Sequence, residues 1–259
     1  YRPAFAVQAR ELTTQQSIMQ NQVEKFGDHM FKHGAMVIPG QIMPDMHYNA
    51  VKLTSFTGTL INFDNNTLTG GTTGIVADVV DIVATDGTDP DTLYVKYRNS
   101  GTDNVSEKFA EGEILTSGAA TGETAITAST AQGSAVRIAA GTYYINGYFV
   151  NVDEQTLILT KYTNTPTFRV GLTIVETFVT STDDASILDN ATGSSNANAT
   201  GAHRFKIDLI LTKLDVSSTA DASFVELLRI EKGRIRNKVD NTQYSIIEDT
   251  LARRTFDES

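Results

Sequence analysis

The 259-residue sequence contains no cysteine and no tryptophan. Without cysteine the chain has no disulfide, no thiolate zinc site and no cysteine nucleophile, although this absence does not choose a redox compartment. Without tryptophan, a sugar-stacking platform would have to depend on other aromatic residues. Long apolar runs are also lacking, and no stretch approaches the roughly 18 residues that a membrane span needs. The sequence therefore predicts no membrane partner.

Positive charge is scarce. The 21 Lys and Arg residues face 31 Asp and Glu residues, which gives a formal net charge of -10. Such a molecule repels phosphate backbones, so we expect no nucleic-acid partner. One local basic stretch, RIEKGRIRNK at residues 229–238, is typical of a charged edge strand. Contact with an acidic neighbouring subunit is the alternative.

The N-terminal segment predicts a helix in a chain that otherwise reads as strands. Thr13 and Gln16 fit a capping box, and Gly34 marks the predicted end. Between them, apolar residues recur at alternating spacings of four and three, the pattern of a coiled-coil seam with one polar position. The predicted seam consists of Leu12, Gln16, Met19, Val23, Phe26 and Met30.

This stripe has two explanations: the helix packs on its own domain, or it forms a short coiled coil with copies of itself. We favour self-association, because an amide at a seam position can hydrogen-bond its symmetry mates. In addition, few other helices are predicted that could cover the stripe.

From Val51 onward the apolar period is two, which predicts strands. Asn146-Gly147 lies between two apolar segments and predicts a two-residue type I′ hairpin. Residues 116–135 are expected to form a long exposed loop or a flexible hairpin, and residues 181–204 a second long polar loop. Asp240 and Gln243 fit a second capping box before a short C-terminal helix. The fold class is mainly β, with an N-terminal helix, a β-sandwich or barrel-like body and a short C-terminal helix.

We interpret the chain as four parts. Residues 1–50 form an oligomerising helical arm, residues 51–140 an inserted β subdomain, residues 141–239 the β body, and residues 240–259 the C-terminal helix. Because the first residue is Tyr1 rather than Met, we expect the chain to be part of a longer product.

Several polar groups are candidates for a metal-binding or catalytic site. His29 and His33 lie one helical turn apart, a spacing that suits a metal, but no H-E-x-x-H arrangement accompanies them. The acidic turn at residues 86–91 lacks the glycine placement and the terminal glutamate of an EF-hand, so a plain acidic turn is the better explanation. Asp183, Asp184 and Asp189 could supply paired carboxylates, yet carboxylates are common in polar loops. We predict no catalytic residue, no cofactor and no metal site.

Tyrosines beside the predicted hairpin suggest a different kind of site. Tyr143, Tyr144 and Tyr148 could stack on a sugar, although cross-strand packing explains them equally well.

Three stretches resemble a family of uncharacterised domains from the baseplates and tail-fibre assemblies of tailed bacteriophages, including cyanophage-like ones. They are RPAFAVQARELTTQQSIMQNQVEKFGDHMFKHG, the segment from TPTFRVGLTIVETFV to RFKIDLILTKL, and DNTQYSIIEDTLARRTFDES. The resemblance implies a structural virion protein at the baseplate periphery that connects to fibres or receptor-binding parts, commonly as a trimer. It also implies assembly in the host cytoplasm and further domains after LARRTFDES. It carries over no active-site residue, and the stretch at 116–135 has no counterpart.

From these observations we expect a non-enzymatic structural protein that assembles as a homotrimer through its opening helix. The alternative is a carbohydrate-binding, host-recognition module of a tail fibre or tailspike. A polysaccharide-degrading enzyme is the least favoured hypothesis, because no catalytic constellation is visible.

Overall fold

The computed structural model of the protein describes residues 8–218 and 222–258. The fold is mainly β with a helix near each end of the described chain, as the sequence predicts. The helices are α1 (Ala9–Asp28) and α2 (Ser245–Asp257). The strands are β1 (Ala35–Ile38), β2 (Ile42–Phe56), β3 (Thr67–Gly70), β4 (Val76–Val83), β5 (Thr92–Tyr97), β6 (Ile114–Ser117), β7 (Thr124–Ile138), β8 (Gly141–Ile145), β9 (Tyr148–Val152), β10 (Gln155–Thr160), β11 (Phe168–Val179), β12 (Arg204–Leu214), β13 (Phe224–Glu231) and β14 (Arg234–Lys238).

Six antiparallel strands close into a small barrel. Their order is β7-β2-β5-β4-β3-β6, and β6 pairs back onto β7 through Ile114 and Ile126. Closure leaves no free edge within this ring. The interior is filled by apolar side chains drawn from residues 51–125, including Phe63, Leu68 and Leu93, which are fully buried.

For residues 116–135 the predicted long exposed loop is wrong, whereas the alternative, a hairpin, is present: β6 and β7 pair antiparallel, with Thr116 opposite Thr124. Residues 124–138 form β7, a 15-residue strand that pairs with β2 along most of its length. The error has a physical cause: the strand is built from Ala, Thr, Ser and Gly, whose small side chains give a weak alternation. Ala125 and Thr127 nevertheless alternate with exposed neighbours and point into the barrel.

A second core lies outside the barrel. It is enclosed by a three-stranded sheet (β1-β8-β9), the far ends of β7 and β10, and a four-stranded sheet (β12-β11-β13-β14). Met36, Tyr143 and Leu172 are among its fully buried side chains. Strand β2 runs from this core into the barrel, so it crosses the division expected at residue 51. The four-part division stays a prediction.

The hairpin at Asn146-Gly147 is confirmed. Both residues have positive φ angles, 47° and 84°, which a type I′ turn requires. It joins β8 to β9, with Ile145 paired to Tyr148.

The boundaries of α1 differ from those expected. The helix begins at Ala9, and the capping box is made by Gln8 and Glu11 rather than by Thr13 and Gln16. The hydroxyl of Thr13 instead donates to the carbonyl of Arg10, one turn back. The last helical residue is Asp28, so the predicted end at Gly34 is also wrong.

Helix α2 lies beside the first strand. The backbone N–H of Gln243 donates to the carbonyl of Met36 at 3.0 Å, and Lys32 Nζ lies 3.1 Å from Asp249 Oδ2. The capping box predicted from Asp240 and Gln243 does not start the helix, which begins at Ser245.

Candidate interaction surface

One face of α1 packs against the β8–β9 hairpin and is hydrogen-bonded to it. Gln20 Nε2 donates to the carbonyl of Gly147 at 2.8 Å, and the hydroxyl oxygen of Tyr144 lies 2.9 Å from both the Glu24 carbonyl and Asp28 Oδ1. Gly27, which is buried, brings the helix backbone against the Tyr144 ring. Burial, followed by the neighbouring Asp28 carboxylate, raises the pKa of Tyr144 to about 12. The hydroxyl therefore stays protonated at neutral pH and can keep donating.

The predicted seam lies on a neighbouring face of α1 and is exposed to solvent. Leu12, Met19 and Phe26 expose 54%, 63% and 65% of their surface, and Val23 exposes 42%. Ile18, which was not predicted as a seam residue, is exposed beside them. Large apolar side chains in this number on one helix face indicate a surface that another element covers.

Met30 does not belong to this stripe. It follows the end of α1 and packs with Phe31, Ala35 and Tyr144 in a small apolar cluster. The helix stops too early to extend the spacing to this position, so Met30 lies outside the seam helix. Its role at an oligomer interface stays a prediction.

Gln16 borders a groove rather than open solvent. The groove has a volume of about 540 Å³ and is lined by Gln16, Ser186, Ile187, Ala202, His203, Arg204 and Phe205. Phe205 pairs across the strands with Phe178, and the ring centroids are 5.6 Å apart. The two phenylalanines are 43% and 65% exposed. On the same side of β11, the exposed Glu176 separates them from the buried core residues.

The three tyrosines considered as a sugar platform are not available as a group. Tyr143 and Tyr144 are fully buried, and Tyr148 packs against Phe205 with ring centroids 5.8 Å apart. The prediction of stacking faces at the hairpin is therefore wrong for the first two residues, because both rings point into cores.

A groove of about 540 Å³ lies across β10, β7, β2, β5 and β4. Its residues are Met43, Pro44, Asp45, Tyr48, Asn49, Asn65, Val80, Val95, Lys96, Ala135, Arg137, Glu154 and Thr156. The half-buried ring of Tyr48 stacks on Tyr94 at 4.9 Å. Burial and the nearby carboxylates, Asp81 first among them, raise the pKa of Tyr48.

The other polar groups are occupied by local structure. His29 Nδ1 lies 2.8 Å from the Lys25 carbonyl, whereas His33 Nδ1 accepts from the backbone N–H of Asn146, so the two rings do not converge. Within residues 8–218 and 222–258, no group of three or more His, Asp or Glu side chains is arranged to hold a metal ion.

In the acidic turn, Lys161 Nζ lies 2.6 Å from Asp86 Oδ2 and 2.9 Å from Asp89 Oδ2. The N–H of Asp89 and the Lys161 ammonium lower the pKa of Asp86. One lysine therefore pairs with two of the three carboxylates of this turn.

Each carboxylate of the loop at residues 181–204 closes a local turn. Asp183 accepts from Thr180, Asp184 from the N–H of Ser186, and Asp189 from the N–H of Ala191. These hydrogen bonds lower the pKa of Asp183 and Asp184. The carboxylates therefore stabilise the loop.

The basic stretch at residues 229–238 forms the β13–β14 hairpin. Strand β14 is the edge of its sheet, and four of its five residues are exposed. Charged side chains on an exposed edge oppose pairing with another strand, which is the role the sequence suggested.

Sequence reasoning missed two features of this surface. Gly27 carried a signal, since glycine inside a helix costs about 1 kcal/mol relative to alanine and usually has a packing reason. Phe178 and Phe205 were placed on their strands correctly, but their exposure depends on where the body ends, which the local pattern does not encode.

No helix among the described residues is long and apolar enough to cross a membrane. No curated protein matches the chain, and no solved structure matches it either. One protein family matches residues 104–259, which is more than half of the sequence and extends from β6 through α2. Helix α1 lies outside that match. The chain belongs to the family described as a domain of unknown function, DUF4815.

Proposed function

We propose that the protein is a structural component of a tailed-phage particle, located at the baseplate periphery, that assembles as a homotrimer through α1 and connects the baseplate to fibres or receptor-binding parts. Two things support this proposal: the resemblance of both ends of the chain to such components, and the state of α1. The proposal rests mainly on the state of α1.

Helix α1 is hydrogen-bonded to the body yet leaves its apolar stripe uncovered. The hydrogen bonds to Gly147 and Tyr144 fix the helix on the body, while Leu12, Met19, Val23 and Phe26 face solvent. Under the alternative explanation, in which the helix packs on its own domain, these residues would be buried against that domain. Their heptad spacing suits association with identical helices.

The proposal places the protein in the virion, and this can be tested directly. Mass spectrometry of purified particles of the encoding phage should detect the chain at a copy number divisible by three. Immunogold labelling with antibodies to the β body should mark the tail tip. Absence from purified particles, or labelling restricted to the capsid, would contradict the assignment.

A carbohydrate-binding role is the second candidate, and the groove around Tyr48 favours it. An aromatic ring beside amide, hydroxyl and charged groups is the usual composition of a saccharide site. Here the half-buried Asn49 lines the groove together with Lys96 and Arg137. In this candidate function the sugar binds at Tyr48 and not at Tyr144, whose ring is buried.

A glycan array compares the two locations. Binding that is lost in Tyr48→Ala and retained in Tyr148→Ala places the site in the groove. Loss in Tyr148→Ala alone places it at the hairpin, and the lack of any glycan signal from the unmodified protein rejects this role.

A further inference from the structure

One residue of β10 connects two sheets. The backbone of Gln155 pairs with Ile138 on β7, in the sheet that also forms the barrel. Its side-chain amide reaches the edge of the four-stranded sheet. There Nε2 donates to the carbonyl of Leu209 at 2.9 Å, and Oε1 accepts from the N–H of Leu211 at 2.8 Å. Both ends of the amide are therefore bonded to β12.

These two hydrogen bonds follow the pattern of a parallel strand pair. In such a pair, the N–H and C=O of one residue bond to the two residues that flank its partner on the next strand. The Gln155 amide makes the same two bonds, to the residues on either side of Ile210. The side chain thus takes the place of one peptide unit of a neighbouring strand.

A second side chain crosses the same junction in the opposite direction. Lys213, on β12, donates from Nζ to the carbonyl of Ile158 at 2.9 Å and also to the carbonyl of Leu159. The ring of Phe168 lies next to the ammonium, with its centroid 5.1 Å from Nζ. Carbonyl oxygens of β10 therefore hold a charge that belongs to β12.

The two bridges lie in one register. At both of them the bonded residues are 54 to 56 positions apart in the sequence, so β10 and β12 run side by side in the same direction. Among the described residues, each of these strands is the outer member of its sheet, and the two share no backbone pairing. Side chains therefore make the hydrogen bonds that join one sheet to the next.

The core alone does not fix the position of the two sheets. Leu159 of β10 and Leu211 of β12 belong to the same buried cluster, which holds the strands together. Burial of apolar surface is non-directional, however, so it tolerates sliding of one strand along the other. Hydrogen bonds are directional, and at this junction the side chains of Gln155 and Lys213 provide them.

We infer that Gln155 and Lys213 form a conformational lock, which fixes the barrel sheet against the four-stranded sheet at the β10–β12 junction. The inference goes beyond the proposed function and depends neither on oligomer formation nor on glycan binding. With the lock intact, the two sheets keep one relative position. Without it, the shared core still holds them together, but they shift along the junction.

The absence of cysteine from the chain allows a distance measurement between the two sheets. Spin labels on Thr116→Cys in β6 and Asn237→Cys in β14 occupy exposed positions, one in each sheet. Pulsed electron paramagnetic resonance should give a narrow distance distribution for this labelled chain and a wider one when Gln155→Met is added. Methionine keeps the unbranched shape of glutamine but lacks its amide.

The matched control is Gln132→Met. Gln132 is half-buried on β7, as Gln155 is on β10, but it does not reach the junction. This substitution should leave the distance distribution unchanged. If Gln155→Met does not fold, Lys213→Met tests the lock from the side of β12: it should widen the distribution, and an unchanged width would overturn the inference.

Amide hydrogen exchange gives a local measurement on the same variants. Gln155→Met removes the acceptor of the Leu211 N–H and should speed its exchange by about tenfold, whereas Gln132→Met should not change it. Faster exchange at Leu211 with an unchanged distance distribution would overturn the lock, because Gln155 would then make only a local hydrogen bond. Unchanged exchange at Leu211 would overturn it as well.

Discussion

The hydroxyl of Tyr144 lies 2.9 Å from the carbonyl of Glu24, and through this contact the β8 strand holds the helix α1. Tyr143, the preceding residue, points into the second core, where its hydroxyl has no hydrogen-bond partner among the described residues. The two neighbouring tyrosines thus offer a matched comparison between a hydroxyl that is satisfied and one that is buried without a partner.

Substituting each tyrosine by phenylalanine should therefore change stability in opposite directions. Tyr144→Phe removes hydrogen bonds to α1 and should lower the free energy of unfolding by about 0.5–1.5 kcal/mol. Tyr143→Phe removes an unsatisfied buried group and should leave that free energy unchanged or raise it. Urea denaturation of both variants measures the difference, and equal losses would argue against the anchoring role of Tyr144.

The close approach at Gly27 predicts that a second substitution, Gly27→Ala, lowers the stability of the fold. A Cβ atom added at Gly27 would lie 2.6 Å from the hydroxyl oxygen of Tyr144, so Gly27→Ala must displace the ring or the helix. Overpacking of this kind costs about 1–3 kcal/mol, whereas alanine at an exposed helical glycine would gain about 1 kcal/mol.

Gln22→Ala, at an exposed position of the same helix, is the control and should change stability by less than about 0.5 kcal/mol. Thermal unfolding and hydrogen exchange of the α1 amides check both variants. Stabilisation by Gly27→Ala would mean that α1 does not pack against Tyr144.

A buried carboxylate braces the barrel at the β3–β4 turn. Glu113 is 2% exposed and accepts hydrogen bonds from the N–H of Thr72 at 2.8 Å, the N–H of Thr73 at 2.6 Å and the N–H of Ala110 at 2.8 Å. Burial alone would raise the pKa of Glu113, but these hydrogen bonds outweigh it and lower that pKa below its usual value.

Glu113→Gln should lower the free energy of unfolding at neutral pH by about 1–3 kcal/mol, because the amide places N–H groups against backbone donors. Since the folded-state pKa is lowered, the contribution of the carboxylate is complete above its unfolded pKa, near 4.3–4.5. It is lost as pH falls through the folded pKa.

The difference between Glu113→Gln and the unmodified chain should therefore shrink in acid. Glu111→Gln, at an exposed position two residues earlier, should show neither effect. A difference that is independent of pH would contradict this account of Glu113.

Local signals in the sequence predicted the type of each element better than its boundaries. Both helices are present, but neither predicted capping box nor the predicted helix end at Gly34 is correct. Asn146-Gly147 specified its hairpin because two adjacent positive φ angles are a property of the dipeptide itself. The mainly β class followed from the period-two alternation around residues such as Leu209 and Leu211, since each strand faces one core.

Features that depend on distant contacts were not predictable in the same way. Strand β7 is held by pairing with β2, about 80 residues away in sequence at Val51 and Thr130, and its small side chains carry little pattern of their own. Likewise, the contacts with Tyr144 and Gly147 determine which face of α1 packs on the body. The stripe is exposed because it lies on another face of the helix.

The seam on α1 predicts that a charged side chain within it dissociates the oligomer. Val23→Asp places a carboxylate in the apolar stripe, where association would bury it without a partner, so the oligomer should dissociate into folded monomers. Asn21→Asp adds the same charge on the opposite side of the helix, at an exposed position, and should leave the oligomer intact. Far-ultraviolet circular dichroism should be the same for both variants.

The most direct test of the account is the mass of the chain in solution, measured by light scattering after size exclusion. The unmodified protein and Asn21→Asp should have three times the 28.1 kDa mass of one chain, and Val23→Asp should have that mass once. A monomeric unmodified chain, or a Val23→Asp variant that keeps the full oligomer mass, would contradict self-association through α1.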